Sequence, residues 1–192
     1  DGSLILNTTQ DVMPAGFTGK LVLANGAILK KEGAGRVFFD PAANTNSVGD
    51  VFINNGTLIL GNSNAFKFDN NYAGAVSVAA GGTLEVQTGA VIKIGALSGA
   101  GTIHLVTSGV DLEIGAADTS TIFSGTITGM GGIGKVGTGD LTLTGNNNFG
   151  TGRSTGWPVV LVSGGSLIVP SDDSLGASVG SGTIQLQDGA IL

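Results

Sequence analysis

Residues 82–105 read GTLEVQTGAVIKIGALSGAGTIHL, and this stretch decides the fold. It holds three short segments in which apolar and polar residues alternate: Thr83 to Val86, Val91 to Ile94 and Thr102 to Leu105. Alternation with a period of two is typical of a half-buried β-strand, whereas glycine readily adopts the positive φ angles of tight turns. The stretch therefore predicts short strands separated by glycine-containing turns.

The same pattern returns along the whole chain: a glycine, a small polar residue, then alternating apolar and polar residues. Further copies are Gly26-Ala-Ile-Leu, Gly56-Thr-Leu-Ile-Leu-Gly61, Gly139-Asp-Leu-Thr-Leu-Thr-Gly145, Gly165-Ser-Leu-Ile-Val and Gly182-Thr-Ile-Gln-Leu. No stretch carries apolar residues at the i, i+3, i+4 and i+7 spacing of a helix for more than about one turn. The sequence therefore predicts an all-β protein.

The turns between these strands suit two architectures. Pairs such as Asn55-Gly56 and Gly81-Gly82 close hairpins as readily as they form the corners of a solenoid. The recurrence at short intervals, without large aromatic residues for a sandwich core, favours a parallel β-helix with roughly 20 to 25 residues per turn. Leu, Ile and Val would then form inward ladders, and Thr, Asn and charged residues outward ones. We predict one elongated domain over residues 1–192, truncated at both ends.

Composition excludes several classes of protein. Of the 192 residues, 41% are hydrophobic and only 11% charged, which is the opposite of a disordered chain. The net charge of −6 is scattered, so we expect no nucleic acid as a partner. Cysteine is absent, which excludes disulfides and thiolate metal sites. No apolar run approaches the ~20 residues of a membrane-spanning helix.

Residues 121–169 carry a family resemblance. They read TIFSGTITGMGGIGKVGTGDLTLTGNNNFGTGRSTGWPVVLVSGGSLIV. This stretch resembles the passenger-associated transport repeat of autotransporters, also called the autotransporter-associated β-strand repeat. Positions of that repeat are occupied by Ile133, Lys135, the glycine pair Gly137 and Gly139, the strand from Leu141 to Gly145, Phe149 in the usual Tyr position, and Gly165, Leu167 and Val169. Residues 153–158 depart from it.

The resemblance implies a right-handed parallel β-helix (β-solenoid) that belongs to a secreted or surface-displayed passenger domain of a Gram-negative bacterium. It implies export through an outer-membrane translocator barrel, which would be a partner during secretion. It also implies that the repeat aids secretion and folding. Neither that barrel nor a protease head is expected within residues 1–192.

Two regions are candidates for ligand binding. The segment Gly150 to Pro158 has the composition of an exposed loop, and its Arg153 and Trp157 are suited to contact a sugar or a protein partner. The Asn-rich stretch 44–71, followed by Tyr72, is interpreted either as a broad turn of the solenoid or as an excursion that carries binding specificity. Arg153, Trp157 and Tyr72 are therefore the candidate binding residues.

Motifs that suggest catalysis lack their structural context. Gly129 to Gly134 has dinucleotide-binding spacing without a following helix, and Gly176 to Gly180 has the form of a nucleophile elbow without a histidine downstream. The acids Asp111 and Glu113 project from one predicted strand at a spacing that suits a glycosidase. We interpret these acids instead as part of an outward ladder in which the charges of Glu85, Lys93, His104 and Glu113 balance one another, rather than as a catalytic pair. No catalytic or metal-binding residue is assigned.

The sequence predicts a non-catalytic scaffold or adhesive stalk that needs no cofactor. One alternative is a module that binds a glycan or a host surface protein, and another is a β-helix enzyme that degrades polysaccharides. Open turns at the two ends of the solenoid would also allow copies of the chain to associate edge to edge.

Overall fold

The structure is a computed structural model. It describes residues 2–11, 26–39, 48–61, 73–87, 89, 91–109, 111–151, 158–176, 183–187 and 189–192. The strands are β1 Ser3–Asn7, β2 Ala27–Glu32, β3 Arg36–Phe39, β4 Val48–Leu60, β5 Ala73–Val86, β6 Ile92–Gly99, β7 Thr102–Leu105, β8 Asp111–Ile114, β9 Thr121–Phe123, β10 Thr126–Gly129, β11 Gly132–Lys135, β12 Leu141–Leu143, β13 Pro158–Val162, β14 Leu167–Ile168 and β15 Thr183–Leu186.

These strands stack as a parallel β-solenoid of about six turns, in a single domain. Every strand pairing within the described residues is parallel. Pairing joins Ser3 to Ile28 and Thr83 to Thr102, so one turn takes close to the predicted 20 to 25 residues. The solenoid prediction is confirmed, and the hairpin alternative is wrong for the described strands.

The strands form three ladders. The first ladder contains β1, β2, the first halves of β4 and β5, the second half of β6, and then β9, β12 and β14. The second contains β3, the second halves of β4 and β5, β7 and β10. The third contains the start of β6, β8, β11, β13 and β15. Three ladders give the solenoid three outer sides.

Inward side chains form columns that run through successive turns. In the second ladder Leu58, Leu84, Ile103 and Ile127 stand opposite one another, and each has 0% exposure. The third ladder has an equivalent column of Ile92, Leu112, Ile133 and Val160. Burial of such side chains stabilises by about 1.5–3 kcal/mol each before entropy is subtracted. Together these columns form one continuous apolar core.

Glycines stack at one corner of the solenoid because nothing larger fits there. A Cβ added at Gly125 would overlap the carbonyl oxygen of Gly101 on the preceding turn, and one added at Gly145 would overlap that of Gly125. At the same kind of corner, Gly56 adopts a φ of 68° inside the long strand β4. The Asn55-Gly56 pair thus bends a strand from one ladder into the next.

Helical structure in the described residues is limited to one short 3-10 turn, Asp172–Ser174. None of the described residues belongs to a helix of the length and apolarity that a bilayer crossing requires. The prediction that helix is nearly absent is confirmed.

Candidate functional site

The predicted binding residues Arg153, Trp157 and Tyr72 all lie outside the described residues. Their role stays a prediction. Among the described residues, the charged side chains that contact other groups fall into three sets. These are buried lysines, aspartates that bind the next turn, and charged clusters on the outer sides.

Lys135 ends β11 and is 1% exposed, which is unusual for a lysine. Its Nζ donates hydrogen bonds to the carbonyl oxygens of Val136 at 2.6 Å and Gly137 at 3.1 Å. A third hydrogen bond, 3.1 Å long, reaches Gly164 after the β13 strand of the next turn. Three acceptors match the three donors of an ammonium group. Lys135 therefore closes a corner and fastens two turns together.

Lys31, at the end of β2, makes the same arrangement and is 0% exposed. Its Nζ donates to the carbonyl oxygens of Glu32 at 2.6 Å, Gly33 at 2.8 Å and Asn55 at 3.1 Å, and Asn55 belongs to the next turn. Both lysines precede a glycine with positive φ, 69° at Gly33 and 72° at Gly137.

Sequence reasoning assigned Lys135 to the transport repeat and missed Lys31. The signal was present: residues 31–37 read KEGAGRV and residues 135–141 read KVGTGDL. Both follow the pattern Lys, any residue, Gly, any residue, Gly, any residue, apolar. The structure shows that this spacing places an ammonium among carbonyl groups at a corner of the solenoid.

Burial lowers the pKa of both lysines below the ordinary value of 10.5. Neighbouring carboxylates act in the opposite direction: Glu32 raises the pKa of Lys31, and Asp140 and Asp118 raise that of Lys135. Desolvation is the largest influence on each, because the charged form loses its contact with water.

Aspartates form a second kind of link between turns. Asp118 accepts a 2.7 Å hydrogen bond from the backbone N–H of Thr138, and Asp50 accepts one of 2.8 Å from Ala75. The bonds from Thr138 and the charge of Lys135 hold the pKa of Asp118 below its ordinary value. Each carboxylate supplies an acceptor to an N–H group that lies one turn further along the chain.

A polar cluster lies on the outer side of the second ladder, and we call it the Glu85 cluster: Arg36, Glu85, Gln87 and His104. Arg36 Nη2 lies 3.3 Å from both carboxylate oxygens of Glu85, and Gln87 Nε2 donates to Glu85 Oε1 at 2.5 Å. His104 stands directly opposite Glu85 in the register, with Nδ1 4.0 Å from Oε2. The Glu85 side chain is only 14% exposed.

A column of threonines runs beside the Glu85 cluster on the same outer side. The register places Arg36 opposite Thr57, and then continues through Thr83, Thr102 and Thr126. All four threonine side chains are partly exposed. The second ladder thus presents two parallel rows of polar groups, the hydroxyl row and the row through Glu85 and His104.

A separate ion pair lies on the third ladder, where Lys93 Nζ is 3.3 Å from Glu113 Oε1. The predicted ladder of Glu85, Lys93, His104 and Glu113 is therefore two pairs on two sides, because β5 and β7 meet in the second ladder whereas β6 and β8 meet in the third. Glu113 points outward, as predicted, and the Asp111 side chain lies outside the described residues.

Most apolar positions of the predicted transport repeat point into the core, and Val169 packs against it while partly buried. Ile133, Leu141, Leu143, Phe149 and Leu167 are at most 2% exposed. Next to Phe149, the buried Asn147 accepts from Ile127 N at 2.7 Å and donates to Ser174 O at 2.5 Å, so that it joins successive turns. The repeat residues therefore act as structural elements of the solenoid.

The dinucleotide-like string Gly129 to Gly134 runs from β10 into β11 and leads into no helix. No cluster of three or more His, Cys, Asp or Glu side chains suited to a metal ion occurs within the described ranges. Compared with known proteins, the chain matches no family, no curated protein and no solved structure.

Proposed function

We propose that this chain is a non-catalytic segment of a surface-displayed autotransporter passenger, in which it serves as a stalk or adhesin scaffold. The observation that carries the proposal is the use of charged side chains as links between turns. Lys31 and Lys135 bind carbonyl groups of a neighbouring turn, and Asp50 and Asp118 bind its N–H groups. Charges placed in this way stabilise a long solenoid.

Strand pairing supports the same proposal. It runs without a break from β1 to β15, and the apolar columns follow it along the axis. A chain built in this way keeps its two ends apart, as a stalk requires. The resemblance of residues 121–169 to the transport repeat adds the expected location, the surface of a Gram-negative bacterium, and the expected partner during export, an outer-membrane translocator barrel.

Surface display tests this proposal. The chain is fused between an epitope tag and a heterologous translocator barrel, and antibody binding to intact cells is measured. We expect display of the wild type. Leu141→Asp, which buries a charge at a 1% exposed position, should abolish display of a folded, protease-resistant chain. Thr142→Asp changes the neighbouring, partly exposed residue and should leave display intact.

Absence of the wild-type chain from the surface, with an unfused barrel that inserts normally, would overturn the proposal. The enzymatic alternative has its own test. Glu113 is held by Lys93, so Asp111→Asn combined with Glu113→Gln should change no biological activity of the displayed chain. Loss of an activity in this variant, with display retained, would favour a β-helix enzyme.

A further inference from the structure

We propose that the outer side of the second ladder is a binding strip for a neutral saccharide chain, centred on Glu85. The strip consists of the Glu85 cluster and the threonine column. It goes beyond the stalk proposal, since it gives this side of the solenoid a ligand. It also differs from the predicted site at Arg153, Trp157 and Tyr72.

The charges of the strip favour a neutral ligand. The guanidinium of Arg36 is paired with the Glu85 carboxylate, so the two charges offset each other. A phosphate or sulfate group would have to compete with Glu85 for Arg36, and the chain as a whole carries a charge of −6. What remains on the strip is a set of donors and acceptors without excess charge, which suits the hydroxyl groups of sugars.

Glu85 is held ready to accept a hydrogen bond. Arg36 and Gln87 fix its carboxylate, and Gln87 binds only Oε1. A carboxylate has about four lone-pair positions, so Oε2 keeps acceptor capacity. His104 Nδ1, 4.0 Å away, is too far for a direct hydrogen bond, but one hydroxyl oxygen between them can bind both groups. Side chains that are already fixed lose little entropy when a ligand binds.

The threonine column gives the strip its length. Neighbouring turns are spaced about 4.8 Å apart, so the column from Thr57 to Thr126 extends over about 15 Å. Each threonine offers a hydroxyl that both donates and accepts, together with a methyl group that can pack against a sugar ring. A linear array of this kind suits an oligosaccharide that lies along the solenoid axis.

Ile59 sets one boundary of the strip. It stands opposite Glu85 in the register, at an outward position, yet it is 0% exposed and lies outside the main core cluster. On the other side of Glu85, the His104 side chain is 45% exposed. Glu85 therefore lies at the boundary between a covered part and an exposed part of the outer side. A ligand bound at such a boundary can be contacted from more than one direction.

The test measures binding of the purified chain to immobilised neutral oligosaccharides, with sulfated and sialylated oligosaccharides on the same array. We expect binding to neutral members only. Thr102→Val with Thr126→Val removes two hydroxyls, keeps the β-branched shape, and should weaken binding more than tenfold. Glu85→Gln should weaken it to a similar extent. Thr142→Val makes the same change on the first ladder and should bind as the wild type does.

Circular dichroism and thermal unfolding establish that each variant is folded, and the threonine variant alone decides the outcome if Glu85→Gln does not fold. The proposal is overturned if the folded wild type binds no neutral oligosaccharide, if it binds only the acidic ones, or if the double threonine variant binds as tightly as the wild type. These outcomes leave the surface-display result unaffected, so the stalk proposal and the strip fail separately.

Discussion

Lys135 and Gly164 lie on neighbouring turns of the solenoid, joined by a 3.1 Å hydrogen bond from the lysine Nζ to the glycine carbonyl oxygen. Lys31 and Asn55 make the same connection with the same length near the other end of the chain. In both cases the lysine also binds the two carbonyl groups that follow it in sequence. One short motif therefore builds the same hydrogen-bonded arrangement at two different corners. Lys31 lies where the first ladder leads into the second, and Lys135 lies where the third ladder leads into the first.

Replacing either lysine by methionine should destabilise the fold by about 2–4 kcal/mol, because buried carbonyl groups lose their donor and regain no water. Urea unfolding of Lys31→Met and Lys135→Met measures the loss. Lys93→Met is the control: its side chain is 51% exposed, so its ion pair should contribute less than about 1 kcal/mol. Equal losses in all three variants would contradict the corner role.

A labelling experiment checks the same corners in the unmodified chain. With an amine-acylating reagent at neutral pH, Lys93 should react rapidly, whereas Lys31 and Lys135 should react only when the solenoid opens, because their Nζ atoms are buried and hydrogen-bonded. Mass spectrometry of peptides gives the rate at each site. Addition of urea should remove the difference. Similar rates for all three lysines in the native chain would contradict the buried arrangement.

Gly125→Ala should destabilise by about 2–3 kcal/mol, because the new Cβ would overlap the Gly101 carbonyl oxygen and force backbone movement. Gly134→Ala is the matched control. A Cβ there meets Cγ, Cα and Cβ of Glu113 at 3.7, 3.8 and 3.9 Å, which are ordinary contact distances. The control should be neutral or slightly stabilising, since alanine restricts the unfolded chain more than glycine does. Thermal unfolding compares the two, and a stable Gly125→Ala variant would refute the stacked corner.

The Asp118 carboxylate should contribute to the stability of the fold in a way that depends on pH. Its pKa is lower in the folded chain than the ordinary value of 3.8, chiefly because of the hydrogen bonds from Thr138. Around and below pH 3.8, the folded state therefore binds fewer protons at Asp118 than the unfolded state does. The stability that the Asp118 carboxylate contributes is complete above about pH 3.8. It is lost as the pH falls from there through the folded pKa.

Asp118→Asn keeps an acceptor for Thr138 and tolerates the φ of 57°, but it does not titrate. The difference in unfolding free energy between wild type and Asp118→Asn should thus be constant at pH 5 to 7. Below pH 3.8 the wild type should lose stability relative to Asp118→Asn. Urea unfolding across this range provides the measurement. Parallel pH profiles for the two proteins would rule out the link.

The strands were predictable from sequence because each carries its own signal. Segments such as Gly82 to Val86 and Gly101 to Leu105 alternate between apolar and polar residues, and the structure places strands there. Parallel stacking followed from the repetition of one pattern. These features depend only on residues that are close in sequence.

Contacts between turns were harder to predict, because they depend on the register and on which ladder a strand joins. Arg36 and Glu85 are separated by 49 residues, and no local pattern pairs them. Lys93 lies on the third ladder and His104 on the second, and alternation alone cannot show that two residues so close in sequence face different sides. Lys31, by contrast, could have been found by comparing residues 31–37 with residues 135–141.

The parallel pairing has a mechanical consequence. Backbone hydrogen bonds between turns point along the axis, so a pull on the two ends of the solenoid loads these bonds directly and one layer at a time. Lys31 and Lys135 add a connection in the same direction at two separate levels. Under tension the chain should therefore lengthen in small steps, and the layers that contain these lysines should be the last to separate.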